Sequence, residues 1–87
     1  MGSVEEFLGL NKKESEYIEL KFALSQALSE RRKQSNLTQV QLAKMLKSSQ
    51  SRIAKMEKGD PTGTIDLLVK SLLVMGATKE SIAKAIA

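Results

Sequence analysis

The chain has 87 residues and a net charge of +4, and it contains neither cysteine nor histidine. That length fits one small domain with its own core, and the lack of cysteine excludes a disulfide framework and thiolate chemistry. No signal-peptide pattern begins the chain, and its longest apolar run, residues 72–75, is far too short to span a membrane, so we expect a soluble cytoplasmic protein.

The charges are unevenly distributed along the chain. Residues 1–30 carry three lysines and six glutamates, residues 31–58 carry eight lysines and arginines against Glu57 alone, and residues 59–87 carry three charges of each sign. A basic segment of this kind attracts a polyanion and makes binding depend steeply on salt. The alternative interpretation is that the basic residues merely keep a small domain soluble.

Capping patterns predict a short turn and then a long helix in the first third of the chain. Ser3 predicts the cap of a short turn that Gly9 ends, and Asn11, followed three residues later by a glutamate, predicts the start of a helix that runs to about Gln34. Apolar residues at helical spacing form a stripe along this helix. We expect these residues to lie in the core: Tyr17, Leu20, Leu24, Ala27 and Leu28, with Ile18 and Phe22 beside them.

The last turn of this helix carries three consecutive cations, Arg31, Arg32 and Lys33. Positive charges at this end favour the negative pole of the helix dipole. The same side chains are long enough to touch a phosphate, so both interpretations stay open.

Residues 37–59 predict two short capped helices joined by a tight turn. Thr38 is a typical cap, and Gln41 three residues later completes a capping box, so a helix is expected to begin at Gln39. Ser49 predicts the cap of the second helix. Because only two residues separate the first helix from this cap, the chain must bend sharply between the two helices.

The second of these helices has one apolar and one polar face. At 100° per residue, Ile53 and Met56 share a face that can pack on the first helix. Gln50 lies in the first turn, where a helix that enters a major groove meets base edges. The other outward side chains form hydrogen bonds or carry positive charge: Ser51, Arg52, Lys55 and Lys58.

This order of residues resembles the helix-turn-helix of the lambda-repressor and Cro class, also called the XRE family, over about residues 22–76. The matching residues are Leu37, Thr38, Gln39, Leu42, Ala43, Leu46, Ser49, Gln50, Ser51, Ile53, Glu57 and Gly59. The resemblance implies an all-α fold, a compact bundle of about five helices. It also implies a DNA-binding regulator of transcription.

The resemblance and the residue types together predict which side chains contact DNA. In the family, the glutamine matching Gln39 contacts a phosphate and braces the glutamine matching Gln50, which reads adenine, and the position matching Ser51 also contacts bases. Lys55 prefers guanine. We therefore expect base contacts from Gln50, Ser51, Lys55 and Arg52, and phosphate contacts from Gln39, Thr38, Ser49 and Lys58.

Two positions depart from the family pattern. Lys47 stands where the family usually has a glycine in the left-handed conformation, at a cost of about 1 kcal/mol. Ser48 replaces the usual buried valine and weakens the clamp between the two helices. We therefore expect the turn, and the tilt of the second helix, to differ in detail from the family.

Two further helices are predicted after the helix-turn-helix. Residues 60–63 form a turn cluster, Thr64 predicts the cap of a helix over residues 65–75, and Thr78 predicts the cap of a last short helix. The apolar residues of the first of these helices either complete the core or form in part a dimer seam: Ile65, Leu68, Val69, Leu72 and Leu73.

The sequence thus predicts a sequence-specific, double-stranded DNA-binding regulator, with repression as the expected outcome. We expect a single domain over residues 1–87, made of an N-terminal extension with the start of the first helix (1–21), the helix-turn-helix (38–58) and the C-terminal helices (64–87). One module buries too little surface for selective binding, so we expect a homodimer on a near-palindromic operator with half-sites about 34 Å apart.

The chain is also similar to antitoxins encoded beside a ribonuclease toxin, in its small size, its acidic N-terminal extension and its long first helix. Such antitoxins repress their own promoter and bind the toxin through surfaces outside the reading helix. A small basic toxin would be attracted to the acidic stretch from Val4 to Glu19.

Three alternatives belong to other functional classes. The first is a protein-interaction module, such as a transcriptional bridging factor, that uses this fold without reading bases. RNA binding is disfavoured because the basic stretch has no aromatic side chain on which bases would stack. An enzyme is disfavoured because histidine, cysteine, paired carboxylates and a glycine-rich phosphate loop are all missing, and no cofactor or metal is expected.

Overall fold

Five α-helices form the part of the chain that the computed structural model describes, residues 12–60 and 64–87, and these ranges contain no strand. The helices are α1 (Lys12–Gln34), α2 (Gln39–Met45), α3 (Gln50–Glu57), α4 (Ile65–Val74) and α5 (Lys79–Ile86). The predicted all-α bundle of about five helices is confirmed. The predictions at Ser3, Gly9, Asn11 and residues 61–63 lie outside the described residues.

Four helices begin at a hydroxyl side chain, as their sequences predict. The Thr38 hydroxyl accepts a hydrogen bond from the Gln41 backbone N–H at 3.1 Å, and the Gln41 side-chain oxygen accepts one from the Thr38 N–H at 2.8 Å. The hydroxyl groups of Ser49, Thr64 and Thr78 accept an equivalent hydrogen bond at the starts of α3, α4 and α5, and the cap at Thr78 also forms a capping box. These bonds satisfy backbone donors that the first turn of a helix leaves unpaired.

The helices pack around one buried apolar cluster. Its members are Leu24, Leu28, Leu42, Ala43, Ile53, Met56, Leu68, Leu72 and Ala77. The long helix α1 lies against α3, α4 and α5, while α2 packs on α3. Ile53 and Met56 therefore face inward, as the helical spacing predicts. None of the described helices is both long enough and apolar enough to cross a membrane.

The predicted core positions of α1 are confirmed at Leu20, Leu24, Ala27 and Leu28, which lie in the core or pack against it, and are wrong at three other apolar residues. Leu24 and Leu28 are buried, but Tyr17, Ile18 and Phe22 are exposed by 51%, 51% and 54%. α1 has 23 residues, about 35 Å at 1.5 Å per residue, whereas the other described helices have 7 to 10. The shorter helices cover Leu24 and Leu28 but leave these three side chains about half exposed. We call these three side chains the apolar patch.

Candidate nucleic-acid interface

The bend between α2 and α3 is closed by two backbone hydrogen bonds. The N–H of Lys47 donates to the Lys44 carbonyl at 3.2 Å, and the N–H of Ser48 donates to the Ala43 carbonyl at 2.8 Å. Lys47 has a φ of 55°, so a lysine takes the left-handed conformation that usually ends a helix at a glycine. The chain therefore bends sharply at the predicted position, despite the lysine.

This bend presents the polar face of α3 to solvent. Ser51, Lys55 and Lys58 are exposed and lie roughly opposite the buried Ile53 and Met56. The face is therefore made of a hydroxyl and two cations, with no large apolar side chain.

Two further exposed side chains flank this polar face, Gln50 on one edge and Arg52 on the other. Arg52 and Lys55 also line an open cavity of about 330 Å³ beside α4. All four side chains that were predicted to contact bases thus lie on one exposed, cationic surface of one helix.

The structure brings Gln39 and Gln50 into direct contact, as the resemblance implies. The Gln50 side-chain Nε2 donates a hydrogen bond to Gln39 Oε1 at 2.5 Å. Gln39 Nε2 in turn donates to Glu57 Oε1 at 3.3 Å. Gln50 in the first turn of α3 is therefore linked, through Gln39 at the start of α2, to Glu57 at the end of α3.

Glu57 forms an ion pair with Arg32 that sequence reasoning missed. Arg32 Nε donates to Glu57 Oε2 at 2.6 Å and Arg32 Nη2 donates to Oε1 at 3.0 Å, while Nη1 donates to the Leu37 carbonyl at 2.8 Å. The two charged side chains are only 12% and 7% exposed. Arg32 thus joins α1, the α1–α2 loop and α3. It is not available to touch a phosphate.

The surroundings of Glu57 keep its carboxyl group ionised. Burial raises the pKa of Glu57, but hydrogen bonds from Arg32 and Gln39, the charge of Arg32 and a hydrogen bond from Ser29 outweigh it, so its pKa lies below the usual value. The hydrogen bond to Glu57 raises the pKa of Arg32 despite burial. At neutral pH, Glu57 is therefore an acceptor of hydrogen bonds and not a donor.

The side chains predicted to contact phosphates lie at the starts of α2 and α3 and at the end of α3. The hydroxyl groups of Thr38 and Ser49 accept hydrogen bonds from the backbone, and each still has its own hydrogen to donate. Lys58 is exposed. Gln39 is half-buried and engaged on both sides of its amide. In the described ranges, no group of three or more acidic or metal-binding side chains could hold a metal ion.

These features define a class of protein: an α-helical domain that presents a capped, cationic helix after a tight bend. A model of the helix-turn-helix family matches residues 28–76, which is more than half of the 87 residues. The chain belongs to this family, whose members of the XRE type are DNA-binding regulators and not enzymes. No curated protein and no solved structure gave a significant match.

Proposed function

We propose that the chain reads specific sequences in double-stranded DNA with α3 in the major groove, and that it acts as a repressor. The observation that carries the proposal is the exposed Gln50 amide, held by Gln39 at the first turn of α3. A glutamine amide pairs two-pronged with adenine through N6 and N7. Such a protein acts where the DNA is, and we infer that this is the cytoplasm.

The neighbouring side chains on α3 supply further base contacts. Ser51 and Lys55 project from the same exposed face, and Lys55 can donate to guanine O6 and N7. Arg52 flanks this face and reaches a base or the adjacent backbone. Each good two-pronged pair contributes roughly 1–3 kcal/mol of discrimination between bases, so these contacts would supply the sequence preference of each half-site.

Phosphate contacts would fix the register of α3 in the groove. Thr38 and Ser49 have hydroxyl hydrogens to donate, and Lys58 adds a charge at the other end of α3. Gln39 lies between the two helices, where its amide faces both Gln50 and Glu57. Contacts of this kind position a protein without reading sequence.

A gel-shift titration with a randomised duplex library, followed by sequencing of the retained fragments, tests this proposal. Gln50→Ala should relax the preference at one base pair in each half-site. Lys58→Ala is the matched control. It should lower the affinity for all sites alike and reduce the dependence of affinity on salt concentration by the share of about one phosphate contact. An equal loss on every sequence from Gln50→Ala would contradict the reading role of this residue.

We also propose that the protein binds a near-palindromic operator as a homodimer. The apolar residues of α4 split in the structure: Leu68 and Leu72 complete the core, while Leu73 and Val74 are about half exposed. The exposed pair supports a dimer seam at the end of α4. Sedimentation at micromolar concentration should find twice 9.6 kDa.

The matched test of this seam compares the same kind of change on two helices. Leu73→Glu should shift the equilibrium to monomer, whereas Lys44→Glu, on the exposed surface of α2, should leave the dimer intact. A wild-type protein that is monomeric in solution and remains monomeric on operator DNA would contradict the proposed homodimer.

The apolar patch favours a second, compatible function, that of an antitoxin bound to a small basic toxin. Tyr17, Ile18 and Phe22 line an open cavity of about 350 Å³ together with Lys21 and Gly59, and exposed apolar patches mark interaction sites. The stretch from Val4 to Glu19 carries five glutamates against two lysines. A partner with a basic surface and an apolar anchor fits this combination.

Co-expression with the neighbouring small reading frame tests the antitoxin proposal. The two proteins should co-purify, and Tyr17→Ala with Phe22→Ala should separate them at raised salt while leaving operator binding unchanged. Co-purification that is unaffected by these changes would place the toxin on another surface. The absence of any basic partner from that reading frame would count against an antitoxin.

A further inference from the structure

We propose that Glu57, which lies at the far end of α3 from Gln50, sets the base preference of Gln50 by fixing the direction in which two glutamine amides face. Glu57 is in this sense a positioning residue. The proposal rests on the base-reading role of Gln50 proposed above. It adds that the choice between adenine and guanine is made at a carboxylate that does not touch DNA.

The first step is the chemistry of the Glu57 carboxylate. Its Oε1 accepts from Arg32 Nη2 at 3.0 Å and from Gln39 Nε2 at 3.3 Å. An ionised carboxylate has no hydrogen to donate. Gln39 must therefore turn its –NH2 group, and not its oxygen, toward Glu57.

The second step follows from the shape of the amide. With its nitrogen facing Glu57, Gln39 presents its oxygen to Gln50, and Gln50 donates to that oxygen from Nε2 at 2.5 Å. The reverse orientation of Gln50 would place two acceptor oxygens against each other. The direction imposed at Glu57 is thus passed through Gln39 to Gln50 over three side chains.

The third step concerns what Gln50 has left for a base. One of its two N–H hydrogens is engaged with Gln39, so one N–H donor and the oxygen acceptor remain. Adenine offers an N7 acceptor and an N6 donor in the major groove, which matches this pair, whereas guanine offers two acceptors, N7 and O6. We call this chain of hydrogen bonds from Glu57 through Gln39 to Gln50 the relay. It favours adenine over guanine at the base that Gln50 contacts.

Replacing the carboxylate by an amide removes this constraint. The Glu57 carboxylate accepts from Arg32 Nε, from Arg32 Nη2 and from Gln39 Nε2, whereas the amide of Glu57→Gln has one acceptor oxygen and a donor group in place of the other. Gln39 then no longer faces an obligatory acceptor, so its amide can turn either way. Gln50 is left without a fixed direction, and its preference for adenine over guanine should fall.

The test measures the ratio of affinities for two operators that differ only at the base pair where Gln50→Ala relaxes the preference. We expect the wild type to favour adenine over guanine by roughly 5- to 150-fold. Glu57→Gln should bring this ratio to within about threefold. Arg32→Lys is the matched control, because it weakens the ion pair but keeps the carboxylate, and it should retain the wild-type ratio.

A merely structural role for Glu57 would lower affinity for both operators and leave their ratio unchanged. That outcome in folded Glu57→Gln, together with a relaxed ratio in Gln50→Ala, would overturn the relay and leave the base-reading role of Gln50 intact. An unchanged ratio in Gln50→Ala would instead overturn the base-reading role itself.

A second variant covers the case in which Glu57→Gln fails to fold. Replacing both charges, Arg32→Met with Glu57→Met, removes the carboxylate without leaving an unpaired charge, a change that folded domains often tolerate. Gln39 is then free to turn, and the adenine preference should fall as in Glu57→Gln. Full retention of the preference in this double variant would also overturn the relay.

Discussion

The helix-turn-helix segment, residues 38–58, and the first half of α1, residues 13–22, belong to the same fold but are stabilised differently. In the helix-turn-helix, helix caps, a bidentate ion pair and two glutamine contacts fix the polar side chains. In the first half of α1, three large apolar side chains are about half exposed. One region is rich in directed bonds and the other in uncovered apolar surface.

The difference follows from the physics of what each region would recognise. A hydrogen bond weakens steeply when its angle departs from linear, so a side chain that reads a base must be held in one direction. Apolar contact is non-directional and depends mainly on the area removed from water. A surface of Tyr17, Ile18 and Phe22 would therefore need no bracing to receive a partner, whereas a Gln50 that reads a base would need it.

The largest expected effect comes from breaking the ion pair of the helix-turn-helix. Glu57→Ala leaves the largely buried guanidinium of Arg32 without an opposite charge and with only the Leu37 carbonyl as a partner, and we expect the free energy of unfolding to fall by about 3–5 kcal/mol. Urea unfolding followed by circular dichroism measures this loss.

The control for this prediction is the ion pair between Asp66 and Lys70 on α4. Its atoms are 3.1 Å apart, but its side chains are 67% and 75% exposed, so water already solvates both charges. Asp66→Ala should leave stability unchanged within measurement. Equal losses from Asp66→Ala and Glu57→Ala would show that burial is not what distinguishes the two pairs.

The next largest effect separates the two regions by their apolar residues. Ile53 of α3 is fully buried in the core. Ile53→Ala should lower the free energy of unfolding by about 2–5 kcal/mol. Tyr17→Ala in the apolar patch should lower it by less than about 1 kcal/mol, because half of that side chain is already in water. A larger loss from Tyr17→Ala would mean that the patch is covered within the chain itself.

The sequence predicts the starts of α2 to α5 because capping is local. A hydroxyl followed three residues later by a side chain that can bond back, as at Thr38 and Gln41 or at Thr78 and Ser81, is visible in four consecutive residues. Exposure of the apolar patch is not visible in this way. Helical spacing shows which side chains share a face, but not whether another helix lies against that face.

In the candidate site, too, the local features could be predicted from the sequence and the long-range contact could not. Gln39 and Gln50 are expected from the family resemblance, and the structure brings them together. Arg32 and Glu57 are 25 residues apart, and no local pattern connects them. The one available signal is charge: Glu57 is the single acid among eight cations in residues 31–58, and a lone acid in such a segment invites a search for its partner.

A third prediction uses pH to isolate the Glu57 carboxyl group. Its pKa is lowered in the folded protein, from about 4.3 in an unfolded chain, so the unfolded state binds its proton first as pH falls. The contribution of Glu57 to stability is therefore complete above about pH 4.3 and is lost as pH falls through the folded pKa. Unfolding titrations at several pH values measure this loss.

The control for the pH prediction is Glu57→Gln, which cannot ionise at this position. The stability difference between wild type and this variant should be constant near neutral pH and should shrink in acid. A difference that stays constant down to pH 3 would contradict the lowered pKa, because the other carboxyl groups are common to both proteins.

The smallest expected effect concerns the bend that separates α2 from α3. Lys47 adopts φ 55°, which costs a non-glycine residue about 1 kcal/mol. Lys47→Gly should therefore raise the free energy of unfolding by about 0.5–1 kcal/mol, and a thermal melt would record a higher midpoint. Lys44→Gly is the same substitution three residues earlier, inside α2, and it should lower stability by about 1 kcal/mol. Opposite signs at the two positions show that the conformation of residue 47, and not the loss of a lysine, determines the gain, whereas a loss at both would mean that the Lys47 side chain itself stabilises the turn.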